Sequence, residues 1–184
     1  MGPLGAPARV RKLAAVEVET AIRTRRTHKA YGPERLSREE VASLLDVARW
    51  APNHNLTNPW RFRIIGPRAL ERLKRAAGPE AAPKLDRAPT LVACSCAQTG
   101  DPVQDEEDVQ AVAVAVYIVL LVAHARGYAG YWRAPGVRRT GQGRSAVGIP
   151  DGERFVGLIH LGRAVQDQRP PERAPLDEVV EFLD

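Results

Sequence analysis

A short basic run near the N-terminus carries side chains that could bind a phosphate. Arg25, Arg26, Thr27 and Lys29 lie within RTRRTHK, residues 23–29. An arginine guanidinium presents a planar fork of donors that fits phosphate oxygens, and a threonine hydroxyl adds one more donor. The alternative is a solvated charged face at the end of a helix, which is the commoner fate of such a cluster taken alone.

A second candidate is the polar loop APNHNLTNPWRF, residues 51–62, which separates two hydrophobic segments. It places His54 and Asn58 between two prolines and leads directly into Trp60. A surface connection is the default interpretation, but this much polar capacity beside a core aromatic predicts a pocket. His54 has no nucleophile motif and no metal-ligand spacing, so we expect neither a catalytic triad nor a metal site.

Two further stretches contain possible phosphate ligands. In GYWRAPG, Trp132 precedes Arg133, and in a strand the two side chains point to opposite faces. We therefore expect Trp132 to pack in the core and Arg133 to reach outward, with a bystander arginine as the alternative. The run TGQGRS, residues 140–145, lacks the Walker lysine position and the strand–GxGxxG–helix context, so we expect a flexible loop there.

Helices and strands must position these stretches. Apolar spacing predicts helices over residues 14–25, from Ser37 to Pro52, where SREE suggests a capping box, and over residues 68–77. Alternation in WRFRII predicts a strand with Trp60, Phe62 and Ile64 on its inner face and arginines on a wet face. Residues 89–97, 127–136 and 154–162 are predicted as further strands, and a last helical turn is predicted at residues 176–183.

The longest apolar run, Val109–Ala123, belongs to a segment that is apolar nearly all round. This pattern predicts an enclosed helix, with a buried strand pair as the competing interpretation. The run is shorter than the roughly 18 to 20 residues that a membrane crossing needs, so we expect no membrane association.

Length and composition predict a single domain. Residues 1–13 are expected to form a flexible leader, and residues 14–184 one domain whose Pro-rich C-terminal arm, about residues 166–184, extends over the surface. The net charge of +5 is spread among acids, with only 5% aromatic residues, so we expect no nucleic-acid partner but one local phosphate site. Cys94 and Cys96 are expected to be small buried residues of a reduced, cytoplasmic protein.

Taken in order, these stretches resemble the nitroreductase family of flavoproteins. The resemblance rests on AIRTRRTHKAY, LLDVARWAPNHNLTNPWRFRII, the long apolar helix, GYWRAPG and GIPDGERFVGLIHLG, and it covers roughly residues 16–165. The sequence is most similar to the compact single-domain branch of NAD(P)H nitroreductases. The resemblance implies an α+β fold, with a central mostly antiparallel sheet wrapped by helices, in an intertwined homodimer that binds one FMN at each of two interface sites.

The resemblance also implies which residues contact the cofactor. Arg25 and Thr27 match residues that hold the FMN phosphate and ribityl chain, with Arg26 between them, and Lys29 matches a lysine near the pyrimidine end of the flavin. His54 matches a flavin-contacting histidine, and Arg133, beside Trp132, an arginine that approaches the phosphate from the other side. Asn58 stands where glutamine is frequent, and Trp50 where the branch can carry an arginine. Arg163 and Arg169 are candidates for a further phosphate contact.

The implied activity is a ping-pong oxidoreduction in which NADH or NADPH and then a small acceptor, such as a nitroaromatic or a quinone, occupy the same site. Because the flavin carries the chemistry, no catalytic side chain is expected. Two alternatives stay open at this stage. One is another reaction on the same fold, such as reductive dehalogenation or flavin fragmentation. The other is a non-catalytic module that binds flavin or nucleic acid.

Overall fold

The structure, a computed structural model, describes residues 17–183. A single sheet has the strand order β1–β2–β4–β3, and every neighbouring pair is antiparallel. The strands are β1 (Trp60–Ile64), β2 (Thr90–Ala97), β3 (Tyr128–Arg133) and β4 (Glu153–Arg163). The helices are α1 (Val18–Thr24), α2 (Arg38–Ala48), α3 (Pro67–Ala77), α4 (Pro102–Ala125) and α5 (Gly141–Ala146).

Helices cover both faces of the sheet, and each face has its own apolar core. On one face α2 and α4 pack against the sheet through residues such as Leu44, Val116 and Ile159. On the other face α3 and the segment around α5 bury residues such as Leu73 and Leu158. The expected α+β fold, with an antiparallel sheet wrapped by helices, is confirmed.

Helix α2 begins at the predicted capping box. Ser37 Oγ accepts a hydrogen bond from Glu40 N at 3.1 Å, and Glu40 Oε2 accepts one from Ser37 N at 2.7 Å. Glu40 Oε1 also accepts a hydrogen bond of 2.5 Å from the Tyr128 hydroxyl and lies 3.5 Å from Arg163. The same glutamate therefore closes the first turn of α2 and joins that helix to β3 and β4.

Helix α4 is the longest element, with 24 residues. Asp101 caps it by accepting from Val103 N at 2.9 Å, and Pro102 occupies its first turn, where a missing N–H costs nothing. Within residues 17–183 it is the one helix long and apolar enough, by length and composition, to cross a membrane. Its packing against the sheet and α2 accounts for that composition as a core helix, and the competing strand-pair interpretation is wrong.

The predicted inner and outer faces of β1 need correction. Ile64 is 46% exposed although it is in phase with Trp60, because β1 is an edge strand that the helices leave partly uncovered. Arg63 is not on a wet face. It donates to both carboxylate oxygens of Glu153, at 2.8 and 2.9 Å, and to Ser95 Oγ at 2.8 Å. This bidentate, half-buried pair joins the edge strand to β2 and β4.

The prediction of a flexible loop at residues 140–145 is also wrong. Thr140 Oγ1 accepts from Gly143 N at 3.0 Å and so starts α5. A Cβ atom on Gly143 would lie 2.0 Å from the carbonyl oxygen of Val137, so only glycine allows this close packing. Gly143 therefore allows close backbone packing here rather than flexibility.

The predictions for the two ends of the chain have different outcomes, and α1 forms within the predicted helix at residues 14–25. The expected leader, residues 1–13, and the first residues of the predicted helix 14–25 lie outside the described residues. At the C-terminal end, only the 3-10 turn Leu176–Glu178 forms within the predicted turn at residues 176–183. The apolar side chains of that segment stay exposed, so no packing stabilises a longer helix.

The buried His160 makes a testable contribution to stability. It is 1% exposed, its ring centroid lies 5.7 Å from that of Tyr131, and burial, with smaller effects of Arg133 and Arg87, lowers its pKa from 6.5 to about 4. Below pH 6.5, His160 binds a proton in the unfolded chain, whereas in the folded chain it stays neutral until the pH approaches 4. The free energy of unfolding should therefore fall by about 3 kcal/mol between pH 6.5 and pH 4 from this group alone.

Urea denaturation of the wild type and of His160→Gln across that pH range measures this contribution. The glutamine variant should lose less stability on acidification than the wild type, because it cannot be protonated. Equal pH dependence in the two proteins would contradict the assignment.

Candidate functional site

The basic run lies in an anchored segment beside the sheet. Arg25 follows the end of α1 at Thr24, and Thr27 forms a parallel bridge with Gly130 at the free edge of β3. His28 N then donates to Gly130 O at 3.3 Å. The backbone of Arg25 to Thr27 is therefore fixed against the sheet, although its side chains reach outward.

Two adjacent cavities, of about 530 and 220 Å³, open beside this segment and share Arg25, Arg26, Pro171 and Arg173. We call them together the arginine pocket. The other lining residues are Ile22, Arg23, Thr27, Tyr117, Gln168, Arg169 and Pro170. Of the eleven residues that line the arginine pocket, five are arginines and none is acidic, so the pocket attracts anions.

Arg25 and Arg26 have donors that protein groups do not satisfy. The Arg25 guanidinium lies over the ring of Tyr117, with 5.8 Å from its carbon to the ring centroid. Arg26 Nη1 donates to the carbonyl oxygens of Arg23 and Arg25, at 2.6 and 2.7 Å, and so closes the end of α1. In the described part of the chain the buried Nε atoms of both arginines lack an acceptor. A phosphate supplies acceptor oxygens for such donors, so these residues fit a phosphate-bearing group.

The pKa values of two histidines in this region are lowered by burial and by the nearby arginines. His124, near the end of α4, has its Nε2 atom 2.8 Å from Thr24 Oγ1. Burial lowers the pKa of His124, and Arg25, His28 and Arg26 lower it further. Burial and Arg25 likewise lower the pKa of His28, against a smaller opposing effect of Asp167. Burial and the neighbouring arginines thus disfavour a further cation here.

The loop with His54 and Asn58 lies elsewhere in the chain, against the start of α4. His54 Nδ1 is 3.6 Å from Glu107 Oε2, and Thr57 Oγ1 donates to Asp108 Oδ1 at 2.6 Å. Asn58 is exposed, and its side-chain amide donates within the loop to Leu56 O at 2.6 Å. At 1.5 Å per residue, Asp108 is about 14 Å along the helix axis from Tyr117 and about 24 Å from His124. In one chain this loop does not line the arginine pocket.

Trp132 and Arg133 point to opposite faces of the sheet, as expected. Trp132 packs into the core on the α4 side, where Gly157 leaves room for it: a Cβ there would lie 2.6 Å from the indole Nε1. Arg133 lines a separate cavity of about 290 Å³ with Pro135 and Val137 on the α3 side. Neither residue lines the arginine pocket.

Of the predicted site residues, the structure therefore brings together Arg25, Arg26 and Thr27. Lys29 is exposed on the same segment but lines neither cavity. Of the two candidates for a further phosphate contact, Arg169 lines the pocket. Arg163 stands apart, with its guanidinium 4.7 Å from the centroid of the Tyr128 ring and 3.5 Å from Glu40.

Tyr117 and Arg173 are among the lining residues that the sequence did not predict. Arg173 belongs to the Pro-rich arm, and its role depends on where the arm runs, which local patterns do not encode. Tyr117 interrupts an otherwise aliphatic run on α4, and that change of residue type was an available signal. Within residues 17–183, no group of three or more His, Cys, Asp or Glu side chains could hold a metal ion.

Comparisons of sequence and of structure with known proteins find relatives described as nitroreductases or nitroreductase-like proteins. The model of the nitroreductase family matches residues 22–82, which include both the basic run and the His54 loop. The Bacillus subtilis (strain 168) protein named "Putative NAD(P)H nitroreductase YfhC" is 23% identical over 171 residues, covering 84% of this chain and 88% of that protein. The crystal structure of a nitroreductase-like family protein from Bacillus cereus has a TM-score of 0.84 at 21% identity, covering 93% of this chain and 98% of that chain. The chain therefore resembles nitroreductases in sequence over residues 22–82 and in fold over most of its length.

A third relative carries a ligand. A Desulfovibrio desulfuricans structure, described as a nitroreductase in complex with FMN, is 25% identical, with a TM-score of 0.76 and coverage of 93% of this chain and 99% of that chain. The chain therefore has the fold of these nitroreductase-like structures.

The electrostatics of the arginine pocket can be tested without a ligand. Arg25→Ala should raise the pKa of His124 and of His28, because it removes a cation that lowers both. A pH titration of the histidine ring protons by NMR measures the change. Arg49→Ala removes an arginine that pairs with Asp46 elsewhere and should leave both pKa values unchanged. If the pKa values of His124 and His28 were the same in Arg25→Ala as in the wild type, the placement of Arg25 beside these rings would be contradicted.

Proposed function

We propose that this chain is an FMN-dependent oxidoreductase that uses NADH or NADPH to reduce small acceptors such as nitroaromatics or quinones. The observation that carries the proposal is the arginine pocket, in which the buried Arg25 Nε lacks a protein acceptor. The names of relatives point to the same chemistry. FMN, when bound, supplies the hydride transfer, and NAD(P)H and the acceptor occupy the site in turn.

The chain's own residues bind and orient the cofactor. The Arg25 guanidinium, supported by the face of Tyr117, and the Thr27 hydroxyl hold the phosphate. Arg169 and Arg173 neutralise the rest of its charge from the C-terminal arm. Lys29, exposed farther along the same segment, would place a cation near the flavin ring, where it would favour the reduced form. No side chain of the chain needs to act as an acid, base or nucleophile.

The proposal includes a homodimer, because one chain leaves two parts of the site apart. The His54 loop lies near the start of α4 and the arginine pocket nearer its end. Antiparallel packing of α4 against a second copy would bring the loop of one protomer over the pocket of the other. The outer side of α4 carries the exposed Val114 and Tyr117, at 40% and 37%, which suits such a contact. Trp132 and Arg133 stay predictions for the cofactor site, and cytoplasmic location stays a prediction for the protein.

The C-terminal arm supports the same assembly. Its apolar side chains are exposed in the single chain: Leu176 at 72%, Val179 at 70%, Val180 at 42%, Phe182 at 93% and Leu183 at 85%. Five exposed apolar side chains in eight residues favour burial against another surface. We propose that the arm packs on the second protomer.

Purification and reduction test the cofactor. The protein should be yellow, with one FMN per protomer, and anaerobic NADH or NADPH should bleach the flavin absorbance. Arg25→Ala should weaken FMN binding by about 1.5 to 3 kcal/mol, the scale of a lost hydrogen bond between charged groups. Arg49→Ala is the matched control and should bind FMN like the wild type. A colourless protein that takes up no added FMN would contradict the whole proposal. An FMN-loaded protein whose flavin neither NADH nor NADPH bleaches would contradict the proposed reductase activity.

Truncation after Ala174 tests the dimer while keeping Arg169 and Arg173. Loss of the apolar arm should raise the dimer dissociation constant by about tenfold or more, since burial of one large apolar side chain contributes about 1.5 to 3 kcal/mol. Sedimentation equilibrium measures it. The full-length Glu181→Gln variant, which keeps every apolar side chain of the arm, should dimerise like the wild type. A truncated chain that dimerises equally well would show that the arm lies outside the interface.

A further inference from the structure

The His54 loop, residues 53–58, has an unusual backbone. Asn55, Leu56 and Asn58 have φ angles of 51°, 53° and 47°, in the left-handed region. Asparagine tolerates this region, but leucine rarely adopts it, so Leu56 carries most of the backbone strain. These three are the only non-glycine residues with positive φ in residues 17–183. Leu56 is also 77% exposed, so burial of its side chain does not offset the cost of its backbone conformation. Contacts elsewhere must hold the loop in this conformation.

Two contacts close the loop and attach it to α4. Asn53 Oδ1 accepts from Asn58 N at 2.8 Å, so the two ends of the loop are joined. Thr57 Oγ1 donates to Asp108 Oδ1 at 2.6 Å, which attaches the loop to the helix. The contact between His54 Nδ1 and Glu107 Oε2 is half exposed and long, at 3.6 Å, so it contributes little to holding the loop. The Thr57–Asp108 hydrogen bond is therefore the main anchor.

Asp108 is costly to bury for this single contact. Its residue is 2% exposed and sits on a helix whose neighbouring buried residues are apolar. In the described part of the chain, Thr57 is the one side chain that donates a hydrogen bond to this carboxylate. A buried carboxylate needs strong donors to offset its desolvation, and an apolar residue would serve the packing of α4 better. The benefit of Asp108 therefore lies in the loop.

We propose that Asp108 and Thr57 are positioning residues, which hold the strained His54 loop in the conformation that presents the His54 side chain to the bound flavin. The inference rests on the proposed FMN-dependent function and on the proposed homodimer, which would bring the His54 loop of one protomer to the pocket of the other. It adds residues that do not touch the cofactor themselves. His54 is suited to such a contact because its side chain is 57% exposed and free to meet a ligand. The Thr57–Asp108 hydrogen bond holds the loop in place, and the loop in turn sets the position of the His54 imidazole.

Matched variants of Thr57 test the anchor. Thr57→Val keeps the shape and removes the donor, whereas Thr57→Ser keeps the donor. Thr57→Val should raise the FMN dissociation constant by about tenfold, the scale of one lost hydrogen bond to a charged group. Thr57→Ser should bind FMN like the wild type. Both are measured by flavin fluorescence, well below the melting temperature of each variant.

A double-mutant cycle separates positioning from simple stabilisation. If Thr57 acts through His54, then His54→Ala weakens FMN binding, and adding Thr57→Val to it causes no further loss. If Thr57 serves stability alone, Thr57→Val lowers the melting temperature and leaves the FMN dissociation constant unchanged, which overturns the proposal. Additive losses in the double variant likewise overturn the route through His54.

The remaining outcomes are also decisive. Should Thr57→Val fail to fold, Thr57→Val combined with Asp108→Asn removes the uncompensated buried charge, and the same loss of FMN affinity is expected. A wild type that takes up no FMN overturns the proposed function and this inference together. A wild type that binds FMN, beside Thr57→Val with equal affinity and turnover, overturns only the inference.

Discussion

The burial of α4 is the constraint on which the arrangement of the site depends. The sheet and α2 cover this helix over most of its length, which fixes its position and rotation. Polar groups at its two ends then serve different parts of the site: Glu107 and Asp108 meet the His54 loop, whereas Tyr117 and His124 lie beside the basic segment. Because one rigid element carries both, neither part can move without disturbing the core.

Electrostatics in the arginine pocket oppose the folded state when no anion is bound. Arg23, Arg25, Arg26, Arg169 and Arg173 line one region, and two histidine pKa values are lowered beside it. The fold accommodates this repulsion locally: Arg26 donates to carbonyl oxygens at the end of α1, where the helix dipole is negative, and Arg25 stacks on Tyr117. A bound dianion would convert that repulsion into affinity.

Local patterns in the sequence predicted much of the fold. The capping box at Ser37 and Glu40 and the apolar run of α4 depend on neighbouring residues, and both predictions were confirmed. The exposure of Ile64 and the burial of Arg63 depend on strand order. Strand β1 lies at the edge of the sheet, and the Arg63 side chain reaches across β2 to form an ion pair with Glu153 on β4. Helix α5 was missed because the need for Gly143 arises from a contact with Val137 and not from helix propensity.

The candidate site was predictable only in part, for a related reason. Arg25, Arg26 and Thr27 are consecutive, so local geometry brings them together, and the resemblance identified them. Arg173 enters the pocket through the path of a Pro-rich arm, and Tyr117 through the rotation of α4. Both depend on tertiary packing that periodicity does not encode.

The features that one chain leaves unsatisfied are complementary to one another. Within residues 17–183, the buried Nε atoms of Arg25 and Arg26 have no acceptor, and the apolar side chains of residues 176–183 are exposed. The His54 loop holds Leu56 at a positive φ, with the His54 side chain exposed. A second copy would supply the surface for the arm and bring a loop to each pocket, and a phosphate-bearing flavin would supply the anion. Each unfavourable term would then be offset in the assembled protein. The strain and the charge repulsion are tolerable in the single fold because the cores on both faces of the sheet are extensive enough to hold them.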